Sequence, residues 1–108
     1  MAVNDDYLKM VEDQLSEFGE VTSKKMFGGV GFYHDGVMFG MIGNDTFRLK
    51  VDEVNQPDFE ARGMEPFYAK NKKKGMPYWE VPADVLEDRD QLKLWAKKAY
   101  EAALRGKK

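Results

Sequence analysis

Asp35-Gly36 falls between Phe32-Tyr33-His34 and Val37-Met38-Phe39, and it constrains the chain more than any other dipeptide in it. Asp-Gly between aromatic and β-branched runs is the strongest short-range hairpin signal. A type I′ turn needs positive φ at both central residues, and these two residue types tolerate it. A second turn signal, Gly43-Asn44-Asp45, leads into Thr46-Phe47-Arg48-Leu49-Lys50-Val51. Together the turns predict a three-stranded antiparallel meander within 21–51.

The turns also fix a register. With Asp35-Gly36 as a two-residue loop, His34 pairs with Val37, Tyr33 with Met38, Phe32 with Phe39, Gly31 with Gly40 and Val30 with Met41. With Asn44-Asp45 as the second loop, Ile42 meets Phe47, Met41 meets Arg48, Gly40 meets Leu49 and Phe39 meets Lys50. Successive side chains point to opposite faces. One face then holds Tyr33, Met38, Ile42, Phe47, Leu49 and Val51 around a Gly31/Gly40 pair. It is the expected core face, because paired glycines leave a trough where a helix can approach. The other holds Val30, Phe32, Phe39, Met41, Arg48 and Lys50, an apolar patch with a cationic edge. Such a patch marks a partner-binding surface. A slip of one residue exchanges the faces. The alternative is that the C-terminal helix or the 68–82 segment lies over the second face.

The flanking segments read as helices and a hairpin. Tyr7, Leu8, Val11, Leu15 and Phe18 make one apolar stripe over Asp5 to Phe18, and Gly19 stops it. Residues 1–20 hold six acids and one lysine, a solvated acidic face. Pro57 and Gly63 bracket a short helix anchored by Phe59, with Asn55 or Gln56 as its cap. Glu65 to Ala69 and Tyr78 to Val81 read as two more strands, with Pro66 and Pro77 suited to sheet edges. Asp88 and Gln91 open a last helix whose apolar face is Leu92, Trp95, Ala96, Ala99, Tyr100 and Ala103. The order α-β-β-β-α-β-β-α predicts a single α+β domain with one antiparallel sheet. With 108 residues there is room for no more.

Most chemistry is excluded by what is missing. Without cysteine there is no disulfide framework, thiolate nucleophile or thiolate metal site, and one histidine rules out two-histidine metal sites. No metal or cofactor is expected. Gly28-Gly29-Val30-Gly31 lacks the Gly-Lys-Ser/Thr of a phosphate loop and the helix of a dinucleotide fold, so it reads as a bulge or bend. His34, beside the turn, reads as a surface residue rather than a base. The carboxylate pairs Asp5/Asp6, Asp52/Glu53 and Glu87/Asp88 sit near helix starts, where helix electrostatics accounts for them. No catalytic residues are therefore assigned. The polar N-terminus and the lack of a long apolar run point to a cytoplasmic protein without membrane contact.

Lys70, Lys72, Lys73 and Lys74 form the one concentrated basic turn. The 17 basic residues are outnumbered by 19 acidic ones. A charged turn protecting a strand edge explains the lysines, and nucleic-acid binding is the alternative.

Lys25-Met26-Phe27-Gly28-Gly29-Val30-Gly31-Phe32-Tyr33, Asp35-Gly36-Val37-Met38-Phe39-Gly40 and Leu49-Lys50-Val51-Asp52 resemble the N-terminal domain of the TfoX/Sxy competence regulators. Gly63-Met64-Glu65-Pro66-Phe67, Met76-Pro77-Tyr78-Trp79-Glu80-Val81-Pro82, Val85-Leu86-Glu87-Asp88 and Trp95 agree in the same order, so the resemblance runs from about Asp6 to about Ala103. It implies a curved antiparallel sheet similar to that of secretion chaperones, in a bacterial cytoplasmic protein without catalytic residues. Full-length members carry a second domain and regulate DNA-uptake competence, so a stand-alone first domain is expected here. The expected function is a non-enzymatic regulatory or protein-interaction module, pairing with a protein partner or a second copy. Binding nucleic acid through the exposed face and the 70–74 lysines is the alternative.

Overall fold

The computed structural model describes residues 5–26, 29–43, 46–64, 66–67 and 76–106. The elements are α1 (Asp5–Gln14), a 3-10 turn (Leu15–Glu17), β1 (Thr22–Met26), β2 (Gly29–His34), β3 (Val37–Gly43), β4 (Thr46–Lys50), α2 (Gln56–Glu60), β5 (Pro66–Phe67), β6 (Met76–Glu80), α3 (Ala83–Leu86) and α4 (Arg89–Arg105). The strands form one six-stranded sheet in the order β1-β2-β3-β4-β6-β5, antiparallel throughout. This is the expected α+β succession, with β1 added ahead of the meander and the single-turn α3 ahead of α4. No helix among the described residues is long and apolar enough to cross a membrane.

The local signals act where the residue chemistry places them. Asp35 and Gly36 both have positive φ, 50° and 77°, as a type I′ turn requires. Gly63 follows α2 at φ 74°. Asp88 caps α4: its carboxylate accepts from the amides of Asp90 and Gln91 and from Nε2 of Gln91, at 3.0, 3.2 and 3.0 Å. Asn55 is buried at the N-cap position of α2, but its side chain makes no cap bond there. Its Oδ1 accepts from the Asp52 amide at 2.8 Å, and its Nδ2 donates to the Lys50 carbonyl at 2.9 Å. It thereby ties the end of β4 to the start of α2. Pro77 stands inside the sheet rather than at its edge. The β5/β6 pairing runs from Phe67↔Met76 to Pro66↔Trp79 and shifts register between them. Pro77, which has no amide to donate, sits in that irregularity.

The decisive departure lies in β3. The pairs His34↔Val37 and Tyr33↔Met38 form as expected, but the next pair is Phe32↔Gly40, followed by Gly31↔Met41 and Val30↔Ile42. Phe39 therefore has no partner on β2 and forms a bulge. The β3/β4 register is the expected one, Gly40↔Leu49, Met41↔Arg48 and Ile42↔Phe47. One extra residue reverses the side-chain alternation, so β2 and the hairpin change faces relative to the rest of β3 and to β4.

This corrects the assignment of faces. Val30, Phe32 and Phe39 belong to the protein's own core, at 1%, 0% and 0% exposure, and offer nothing to a partner. They join Ile42, Phe47, Leu49 and Val51 in one cluster with Val11 and Leu15, Phe59, Val85 and Leu86, and Leu92, Ala96 and Ala99. Every described helix contributes to that cluster, so all of them cover the same side of the sheet. The Gly31/Gly40 trough does not form, because Gly31 faces Met41. Gly40 lies on the helix side, where it leaves room for Leu49 and Phe47.

Candidate functional site: the open face of the sheet

Tyr33, Met38, Met41, Arg48, Lys50 and Tyr78 alternate with the core residues of β2, β3, β4 and β6. All six are half-buried, and none belongs to the core cluster or packs against it. Every described helix contributes instead to the core cluster on the other side of the sheet. Two rows can be traced across this face by strand pairing. One is Lys24, Gly31, Met41, Arg48 and Glu80. In the other, Thr22, Tyr33 and Met38 are paired in turn, and Lys50 pairs with Tyr78 further along the sheet.

The electrostatics of the face follow from that layout. Lys50 Nζ stands 5.4 Å from the centre of the Tyr78 ring, within cation–π range. Burial pushes the Tyr78 hydroxyl above the ordinary tyrosine value, and Tyr33 raises it further. Burial pulls the Arg48 guanidinium down, while Glu80 and Tyr7 pull it back up. Lys24, Arg48 and Lys50 thus share this face with a single acid of these rows, Glu80.

The structure divides the sequence-assigned surface in two. Met41, Arg48 and Lys50 lie together on the open face; Val30, Phe32 and Phe39 lie beneath the helices. Lys70, Lys72, Lys73 and Lys74 fall outside the described residues. Strict alternation missed Tyr33, Met38, Tyr78 and Lys24 as members of the face. The one sign that could have found them is Gly40, since a glycine inside a strand often marks a bulge.

His34, beside the turn, is half-buried. Its ring packs edge-on to Phe18 and Tyr100, with centroids 5.1 and 4.9 Å away. Its Nδ1 lies 2.6 Å from the Glu20 carbonyl, which can only accept, so Nδ1 carries the proton. Nε2 lies 3.8 Å from Asp35. This is a structural role, without a nucleophile beside it. The carboxylates are engaged in the same way. Asp52 takes a two-pronged bond from Arg105 at 2.6 and 2.9 Å, Asp84 pairs with Arg62, and Asp13 pairs with Arg89. Among the described residues, no group of histidine and carboxylate side chains is placed to hold a metal ion.

Two clefts line the seam between α4 and the segment around α2. The larger, about 610 Å³, has Leu94, Trp95 and Ala61 among its walls. It is crossed by the pair of Lys98 with Asp58 at 2.9 Å. The smaller, about 450 Å³, lies against Val54, Ala102 and the Asp52–Arg105 pair. Each cleft has one such ion pair on its wall, and neither holds a base poised beside a nucleophile.

Comparison with known proteins adds one match: the family model described as TfoX N-terminal domain aligns with residues 13–103. None of the curated proteins matches the sequence.

Proposed function

The chain belongs to the TfoX N-terminal domain family, a family of regulatory domains and not a known enzyme family, and from that premise we propose that it works as a regulatory module that binds a protein partner. One observation carries this reading. The sheet is covered by helices on one side, and the other side presents Tyr33, Met38, Met41, Arg48 and Tyr78. Tyrosine, methionine and arginine are the residue types enriched in protein interfaces. Met41 stands at the middle of the face, between Gly31 and Arg48, and is its natural anchor.

The test compares wild type with Met41→Asp by light scattering and by pull-down from the source cells. Wild type is expected to form a dimer or retain a partner. Met41→Asp is expected to lose it while keeping the melting temperature. A wild type that stays monomeric and retains nothing overturns the reading.

The pairing of Lys50 with the Tyr78 ring, beside Tyr33 and Arg48, supports a second reading as a single-strand nucleic-acid platform. It predicts binding of single-stranded probes that weakens steeply with salt and falls when Lys72, Lys73 and Lys74 become alanine. No shift of such probes at low salt removes it.

A further inference from the structure

Among the described residues, β1 is the one long edge of the sheet. The opposite edge, β5, has two described residues, whereas β1 has five, Thr-Ser-Lys-Lys-Met. Among the described residues, no backbone hydrogen bond reaches the outer side of β1, and Thr22, Lys24 and Lys25 are exposed. An edge of this length is a template for another strand.

The charges on β1 select what can add there. Lys24 is the middle residue of the five, so full antiparallel pairing of two copies would put Lys24 of one opposite Lys24 of the other. Like charges directly opposite oppose pairing, and the edge therefore resists a second copy. The two faces of β1 also differ. On the helix side, Lys25 lies 3.9 Å from Asp5, and Ser23 donates to Glu12 at 2.8 Å, so that side is already supplied with acids. On the open side, Lys24 shares its row with Gly31, Met41 and Arg48. An incoming strand meets a cation there, and the first acid along that row is Glu80, beyond Arg48.

The geometry points to β1 as a strand-addition site for an extended peptide that carries acidic side chains on the open-face side. Main-chain bonds to the free edge would supply affinity, and an acid beside Lys24 would set orientation and register. This site is separate from the anchor at Met41 and does not depend on it.

The test uses the full chain and a capped peptide of alternating valine and glutamate. Its controls are the same peptide with lysine for glutamate, the glutamate peptide N-methylated at alternate amides, and a single-stranded oligonucleotide. Binding is followed by fluorescence anisotropy, and amide exchange over Thr22 to Lys25 locates it. The glutamate peptide is expected to bind and to slow exchange in β1. The lysine peptide should bind about tenfold more weakly, and the N-methylated one not at all. Lys24→Glu, at an exposed position, should reverse the preference between the two charged peptides while keeping the fold. The inference is overturned by unchanged exchange in β1, by undiminished binding of the N-methylated peptide, by indifference to Lys24→Glu, or by protection of β1 with the oligonucleotide alone.

Discussion

Phe32 stands opposite Gly40, and Phe39, next in the chain, stands opposite nothing on β2. That offset gives the helices two phenylalanines on adjacent strands. Phe39 meets Phe18 at 5.0 Å, and Phe32 meets Phe47 edge-on at 5.4 Å. Such contacts require the bulge, because regular pairing would turn β2 and the hairpin away from the helices.

Gly40 is held at this place by close packing. A Cβ there would lie 3.1 Å from the Arg48 carbonyl oxygen, 3.3 Å from Leu49 Cδ2 and 3.4 Å from Phe47 Cε1. The nearest neighbour is backbone and cannot step aside. Gly40→Ala is therefore expected to destabilise the fold by about 1–3 kcal/mol, the usual cost of overpacking. Phe39→Ala should cost about 3–5 kcal/mol through the cavity it leaves. Urea unfolding of the two variants checks both, and a Phe39→Ala protein as stable as wild type would contradict its place in the core.

Asn55 bridges two backbone groups from a fully buried position. Asn55→Ala leaves the Asp52 amide and the Lys50 carbonyl without that partner, at about 1–3 kcal/mol. Glu60→Ala removes only an exposed bond from Gln56 and should stay within about 0.5 kcal/mol of wild type. Thermal melts of both variants decide it.

Acid should loosen the protein through two carboxylates. The Arg105 side chain, helped by the amides of Val54 and Asn55, holds Asp52 below the ordinary carboxylate range. Gln91, through its side chain and amide, and the Asp90 amide do the same for Asp88. A lowered folded value means that the unfolded chain binds the proton more readily. The stabilisation is complete above the unfolded value of about 3.9 and is lost as pH falls through the folded one. Urea midpoints measured from neutral to strongly acid pH should drop in that window. Asp52→Asn and Asp88→Asn should each flatten the drop.

Much of the fold was legible because its signals are local. Asp35-Gly36 dictates its own turn, Asp88 with Gln91 its own cap, and the stripe through Val11 and Leu15 its own helix. The β3/β4 register also followed from turn and alternation. The bulge did not, because nothing within a strand counts its residues against its neighbour. Phe39 leaves the ladder and packs on Phe18 in the same core that holds Ile42. The site inherited that error. Met41, Arg48 and Lys50 lie beyond the bulge and kept their face, while Val30, Phe32 and Phe39 exchanged theirs with Tyr33 and Met38.

The clasp of His34 by Phe18 and Tyr100 has a consequence for how the molecule comes apart. The hairpin tip, the end of the first helical segment and the middle of the last helix share one aromatic knot. Sequence-distant pieces joined this way open together or not at all. Loosening the final helix would release the hairpin tip with it, so a disturbance at either end of the polypeptide is felt at both.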